Sequence, residues 1–478
     1  MHPGAIAAER PTQDAVVLGA TRRSYAELDR ASRRLALLAR EYGLGRGDVL
    51  ALLAPNGPGF LAGAWAAQRS GLYLLPLGTR LTAADIAYIL ADSGARLLLA
   101  DGACAAHAAL ALETLAPGAR PSMLPLDAAL WAPGEGPADP DPVEGGDMLY
   151  TSGTTGRPKG VRRPLDHAPL GAQLARAERL QELFGMDGNS VFLSPAPLYH
   201  AAPLRFAMAL LRLGGTLLLM PRFEPDEALA LIDSEDVTHS QWVPTMFARL
   251  LALPDDQRRA YRGRKHRVAI HAGAPCPPPQ KRAMIDWWGP ILQEYYSGTE
   301  SVGFTHISSE EWLRKPGSVG RPWRCAVHIV DDEGRELPPG QRGGVYFSGR
   351  GAPAYHNAPD KTADATLANG WSTMGDIGYV DEDGYLFLTD RRAFTIISGG
   401  VNVYPREVED ALREHPAVAE AAVFGSGDED LGEVVTAVVS PAPGKTADLQ
   451  LARDIYAAAA QRLARFKLPR ILAFQAEL

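Results

Sequence analysis

Met148-Leu149-Tyr150-Thr151-Ser152-Gly153-Thr154-Thr155-Gly156-Arg157-Pro158-Lys159-Gly160 is the stretch that decides how the rest of the chain is read. Met148–Tyr150 has the apolar character of a strand end and runs directly into hydroxyl side chains and glycines. Glycine lets a backbone turn its N–H groups inward, Ser and Thr hydroxyls add donors, and Lys159 supplies a positive charge. Such a loop can cradle phosphate oxygens, although the same composition also suits a plain surface turn. It is not a Walker loop, which needs Gly immediately before its Lys and Ser or Thr after it. Here Lys159 stands between Pro158 and Gly160.

Upstream, Ser24-Tyr25-Ala26-Glu27 fits a capping box that opens an amphipathic helix to about Tyr42. Val49–Ala54 reads as a buried strand, Phe60 to Gly71 as a helix, Leu72–Leu75 as a strand, Ala83–Asp92 as a helix and Arg96–Ala100 as a strand. This alternation predicts βαβ units and a mostly parallel sheet. Ala132 to Asp147, rich in Pro, Gly and Asp, reads as a surface loop. Downstream, Val191–Ser194, Thr216–Met220 and Thr238–Val243 read as strands and Pro225–Ser234 as a helix. From Val327 to Tyr385 the pattern shifts to short strands and glycine turns, such as Asp331-Asp332-Glu333-Gly334. A small α+β unit begins after Asp390, with a helix near Pro405–Glu414. The expectation is an α/β protein: a large N-terminal domain, 1–389, of two α/β subdomains plus a β-rich subdomain, and a small α+β C-terminal domain, 390–478.

The 478 residues exceed what one compact core accommodates. A formal net charge of -8 argues against a nucleic-acid-binding surface, which needs clustered Lys and Arg. Cys104, Cys276 and Cys325 are far apart and form no CxxC pair, so neither a zinc site nor a disulfide framework is expected. The start Met1-His2-Pro3-Gly4 lacks a charged segment followed by an apolar one, and no apolar run approaches the roughly 18 residues of a membrane span. The cytoplasm is the default location.

The string Thr151–Gly160 resembles the signature of the AMP-forming adenylating superfamily: acyl-CoA synthetases, luciferases and peptide-synthetase adenylation domains. Other segments of that family follow in order. Tyr295-Tyr296-Ser297-Gly298-Thr299-Glu300 is similar to its Tyr-Gly-x-Thr-Glu segment, with Ser297 where the family often has Gly. The resemblance implies that Tyr296 stacks on adenine, Thr299 touches phosphate and Glu300 holds Mg²⁺. His271-Ala272-Gly273-Ala274-Pro275 resembles the adenine-edge loop. Gly370-Trp371 with Gly375-Asp376 resembles the segment whose Asp accepts both ribose hydroxyls, and Asp390-Arg391 the junction whose Arg contacts the nucleotide. Ala393 stands where a charged hinge residue is usual. Ile396 to Glu407 matches the next motif, in which Gly399 and Gly400 would line the coenzyme A tunnel.

By the same resemblance, Thr151, Ser152, Gly153, Thr154, Thr155, Gly156 and Lys159 bind ATP, Gly273, Ala274 and Pro275 flank the adenine, and Asp376 and Arg391 complete the nucleotide site. Glu300, Thr299, Arg391 and His200 would be catalytic. His200, in Pro197-Leu198-Tyr199-His200, would line the carboxylate site together with Trp242 and Gly298. The reaction implied is adenylation of a carboxylic acid by ATP, then transfer to coenzyme A, with a mobile small domain presenting different faces in the two steps. Residues 198–203 contain no acid of the kind that holds an amino group, which disfavours an amino-acid substrate. Leu204–Leu213 and Trp242-Val243-Pro244-Thr245-Met246-Phe247 suit either an apolar acyl pocket or core packing. Ala274-Pro275-Cys276-Pro277 and residues 312–320 look like bacterial acyl-CoA synthetases of the bile-acid-CoA-ligase group, so the expected substrate is a bulky apolar acid.

The family also uses a Lys inside a Pro-x-x-x-x-Gly-Lys segment near the C-terminus. The sequence ends at Phe474-Gln475-Ala476-Glu477-Leu478, before such a segment, and Lys467 matches an earlier position, so the small domain is expected to lack its last segment. That leaves two alternatives beside the complete synthetase: a specialist in one half-reaction, and a catalytically silent binder of nucleotide or acyl-AMP. The resemblance admits a homodimer.

Overall fold

A computed structural model describes every residue except 140, 152–157, 392–393, 399–400 and 429–430, and gives the backbone alone at Arg391, Ile397, Val401 and Asn402. The chain forms two compact units, one of residues 1–320 and 353–364, the other of 321–352 and 365–478.

In the first unit the capping box forms: the Ser24 side chain accepts the Glu27 N–H, and Glu27 reaches back to the Ser24 N–H at 2.9 Å. The helix Tyr25–Glu41 buries Leu28, Ala31, Leu35 and Ala39 on one face. One sheet orders its strands Ser122–Leu126, Leu97–Asp101, Val49–Leu53, Tyr73–Pro76, Gly146–Thr151 and Lys159–Arg162, parallel except for the last. Every residue of Val49–Leu53 is buried, as an unbroken apolar run in a parallel sheet demands. A second sheet runs Thr305–Ser308, Leu292–Tyr296, Val268–His271, His239–Trp242, Val191–Ser194, Thr216–Leu219, Asp14–Leu18 and Thr21–Ser24. Only its Thr305–Ser308 and Thr21–Ser24 strands are antiparallel to their neighbours.

The second unit contains an antiparallel meander, Ala326–Val330, Gly343–Ser348, Ser372–Val380 and Leu386–Arg391. It also contains a sheet of Val401–Val403, Ile396–Ser398, Gly432–Pro441 and Val418–Asp428, with Ile471–Phe474 added parallel to Gly432–Pro441. The helices Pro405–Arg413 and Leu449–Ala460 close over a core that includes Val408, Leu412, Val435, Ala437 and Ile455.

Compactness divides the chain after Gly320, with 353–364 returning to the first unit. The reason is local: Leu386–Arg391 pairs with Ser372–Val380 on one side, and the helix Pro405–Arg413 packs against it. The β-rich segment therefore clusters with the C-terminal sheet. Among the described residues, no helix is long and apolar enough to cross a membrane.

Candidate active site

Gly146–Thr151 and Lys159–Arg162 form an antiparallel hairpin in which Thr151 pairs with Lys159. The hairpin loop carries Ser152, Gly153, Thr154, Thr155 and Gly156, which lie outside the described residues. Residues 354–356 lie along the outer strand. Arg162 N–H donates to the Ala354 carbonyl at 2.8 Å, His356 N–H donates to the Gly160 carbonyl at 2.8 Å, and Val161 bridges Tyr355. Gly160 permits this approach, since a Cβ there would meet Tyr150 Cζ at 3.0 Å and His356 Cβ at 3.2 Å.

The added segment brings the Tyr355 hydroxyl to Glu300, where it donates to Oε1 at 3.0 Å. The helix Pro359–Asp364 follows and carries Lys361. Lys159 is half-buried; burial lowers its pKa, the neighbouring Lys361 ammonium lowers it further, and Glu300 opposes both. Two ammonium groups, one carboxylate and a phenol thus meet beside the hairpin.

The remaining loops of the first unit follow parallel strands at their carboxyl ends, where open α/β sheets bind ligands. Val268–His271 and Leu292–Tyr296 are neighbours in register, with His271 beside Glu294. Beyond the first lies Gly273, whose φ of 87° is the left-handed conformation that glycine accepts, followed by exposed Ala274 and Pro275. Beyond the second lies Tyr296, half-buried, and then a turn in which Ser301 N–H donates to the Gly298 carbonyl at 3.1 Å. Thr299 and Glu300 occupy its two central positions. The Ser297 hydroxyl donates to the Gly303 carbonyl at 2.7 Å and closes the segment from outside. His200 is exposed at the N-cap of the helix Ala201–Leu213, makes no capping bond, and has its ring 4.7 Å from that of Tyr199.

Trp242 lies elsewhere than in an open pocket. It is 1% exposed and packs against Phe223, Phe247 and Trp288, while its indole N–H donates to the Ser240 hydroxyl at 2.6 Å. Of the two readings its apolar stretch admitted, this structure takes core packing, because the indole finds its polar partner inside.

In the second unit, Asp376 and Arg391 stand directly opposite each other on paired strands, and Asp376 is 7% exposed. The Arg391 side chain, Ala393, Gly399 and Gly400 lie outside the described residues.

Sequence reading missed Tyr355, Lys361 and the arginines Arg163 and Arg205 behind the Glu300 turn. Nothing local marks them: Tyr355 reaches Glu300 across 55 residues, and Arg205 reaches Asp147 across 58. Among the described residues no group of three or more His, Cys, Asp or Glu is arranged to hold a metal. Glu300 by itself fits Mg²⁺, which commonly takes one or two carboxylates and fills its sphere with water and substrate phosphate oxygens. Its Oε1 is fixed by Tyr355, and Oε2 accepts no hydrogen bond among the described residues.

A family model described as AMP-binding enzyme matches residues 5–354, and one described as AMP-binding enzyme C-terminal domain matches 407–478. Feruloyl-CoA synthase of Amycolatopsis sp is 34% identical over 472 residues, covering 97% of this chain and 92% of that protein. The long-chain-fatty-acid–CoA ligase FadD13 of Mycobacterium tuberculosis is 32% identical over 465 residues, covering 95% of this chain and 89% of that one. Among solved structures, the amide bond synthetase McbA of Marinactinospora thermotolerans superposes with a TM-score of 0.85 at 29% identity, covering 100% of this chain and 95% of its own.

Proposed function

The chain belongs to the AMP-binding enzyme family and is an AMP-forming acid–thiol ligase using ATP, Mg²⁺ and coenzyme A, and from that premise we propose that its acid is bulky and apolar. The observation that carries the site assignment is the meeting of Glu300, Tyr355, Lys159 and Lys361 beside the hairpin of the phosphate loop. The substrate assignment is supported by residues 198–203, which hold no acid. Relatives named for ferulate, long-chain fatty acids and indoleacetate also support it.

In the first step a carboxylate oxygen of the acid bonds to the α-phosphorus of ATP, the bond from that phosphorus to its bridging oxygen breaks, and pyrophosphate leaves. Lys159 and Lys361 attract the negative charge of the departing pyrophosphate, and Tyr355 holds the Glu300 carboxylate in place. Thr299 and Arg391 contact the nucleotide phosphates, Tyr296 and residues 273–275 hold the adenine, and Asp376 accepts the ribose hydroxyls. When bound at Glu300, Mg²⁺ neutralises phosphate charge. In the second step the coenzyme A sulfur bonds to the acyl carbon, the bond from that carbon to the AMP oxygen breaks, and the thiol proton passes to solvent. His200 faces the acid, and Gly399 and Gly400 line the thiol's approach. The pivot between the steps lies at 389–390, a reading supported by the two family models, which match 5–354 and 407–478 and leave this position between them. The enzyme works in the cytoplasm.

The test is ATP–pyrophosphate exchange over a panel of ferulate, indoleacetate, medium- and long-chain fatty acids, malonate and amino acids, followed by thioester formation with coenzyme A. Exchange and thioester are expected with the apolar acids. Activity confined to malonate or to amino acids would refute the substrate assignment, and exchange without thioester would favour the half-reaction specialist.

A further inference from the structure

We propose that Arg205 is a positioning residue for the turn Gly298–Ser301, and that through Asp147 it couples this turn to the strand entering the phosphate loop. The proposal rests on the reading of Glu300 as the Mg²⁺ ligand.

Ser301 follows Glu300 immediately and has a φ of 55°. That left-handed conformation crowds a residue with a Cβ and persists only where surrounding contacts impose it. Two arginines do so. Arg205 Nη1 donates to the Thr299 carbonyl at 3.1 Å and to the Ser301 hydroxyl at 3.0 Å. Arg163 Nη2 donates to the Glu300 carbonyl at 3.0 Å and to the Ser301 carbonyl at 2.9 Å. The backbone carbonyls of three successive residues are therefore held by guanidinium groups, while the Glu300 carboxylate is held separately by Tyr355.

The rest of the Arg205 fork grips Asp147, with Nε to Oδ2 at 3.0 Å and Nη2 to Oδ1 at 2.8 Å. Arg176 adds a contact to Oδ2 at 3.0 Å. Burial opposes ionisation of Asp147, but Arg205 and Arg176 outweigh it and hold the carboxyl well below its ordinary range. Asp147 lies in Gly146–Thr151, the strand that delivers Thr151 to the phosphate loop. A single guanidinium thus spans the two pieces of backbone that must meet the metal and the phosphates of one nucleotide. Lysine at 205 would keep the charge and lose the planar fork needed to bond both at once.

Calorimetric binding of ATP to the acid-free protein, once with Mg²⁺ and once with EDTA, separates this role from a merely structural one. The wild type is expected to bind more tightly with Mg²⁺. Glu300→Ala should abolish that gain. Arg205→Lys should reduce it by about tenfold while lowering metal-free ATP affinity much less. Asp147→Asn, which preserves shape, should reduce it in the same selective way. Adding Ser301→Gly to Arg205→Lys should restore part of the gain, because glycine takes the left-handed conformation without the clamp. If both affinities in Arg205→Lys and Asp147→Asn fall in parallel, or neither changes, the positioning role is overturned. If the wild type shows no gain with Mg²⁺, or Glu300→Ala keeps it, the metal reading of Glu300 has failed instead.

Discussion

Acidification from pH 7 to pH 5 should destabilise the first unit by at least about 6 kcal/mol, because burial depresses the pKa of His2, His239, His266, His271 and His306, and three of these rings alone account for that figure. Burial lowers the His239 and His306 pKa from 6.5 to about 4, and burial together with the nearby His239 lowers that of His266 to about 3. Two of these rings have partners that suit neutrality. His239 Nε2 donates to the Phe184 carbonyl at 2.9 Å, which leaves Nδ1 to accept from the Thr238 hydroxyl at 2.8 Å. His266 sits between the hydroxyls of Ser240, at 2.7 Å, and Tyr261, at 2.9 Å. A pKa depressed on folding leaves stability intact above 6.5. It removes stability as pH falls through the interval down to the folded value, because the unfolded chain binds protons that the folded chain refuses. At pH 5 the unfolded rings are almost fully protonated and the folded ones almost neutral, so each ring costs about 2 kcal/mol. Against a typical domain stability of roughly 5–15 kcal/mol this is a large loss.

The assay is urea unfolding followed by tryptophan fluorescence at pH 7, 6 and 5. Trp288 reports locally, with its ring 5.2 Å from that of His266 and 5.4 Å from that of Trp242. The slope near pH 5 should correspond to at least about three protons taken up on unfolding, or at least about 4 kcal/mol per pH unit. His266→Gln should shrink the loss between pH 7 and pH 5 by about 2 kcal/mol. A transition whose midpoint and steepness are the same at pH 7 and pH 5 would refute the reasoning.

Tyr355→Phe removes one hydrogen bond to a charged acceptor, worth about 1.5–3 kcal/mol, and should lower kcat/KM for adenylation at least about tenfold while costing no more stability than that one bond; an unaltered kcat/KM would show that Glu300 needs no such support. Trp242→Ala should cost about 3–5 kcal/mol as a core deletion, and Trp242→Phe should keep the ranking of acids in the panel. A reordered panel in Trp242→Phe with wild-type stability would return Trp242 to the substrate.

Local chemistry was enough to read most elements of the fold. The Ser24 capping box, the all-apolar Val49–Leu53 and the helix Pro225–Ser234 each carry their own start, period or stop, and the structure has them where those signals put them. The clustering of the β-rich segment with the C-terminal sheet was not legible in the same way, because the pairing of Leu386–Arg391 and the packing of Pro405–Arg413 against it are tertiary facts with no periodic trace. Trp242 shows a second limit: an aromatic in an apolar run obeys the same pattern whether it faces a ligand or the core, and its choice was made by a hydroxyl two residues away, on Ser240.

The Glu300 turn shows why the supports of a site are harder to read than its reacting groups. Its residues attract notice because their types are chemically suggestive, and Gly298 looks like the residue that gives the turn its freedom. The left-handed residue is instead Ser301, with a φ of 55°. Local preference opposes that conformation, so the information that fixes it must reside elsewhere in the chain. It resides in Arg163 and Arg205, two of 48 Lys and Arg residues, neither distinguished by its neighbours in sequence. A turn held against its own preference by two distant cations should respond to substitution of those cations more than to most changes within the turn itself, and that makes Arg205 the residue at which the connection between metal and phosphate loop can be cut.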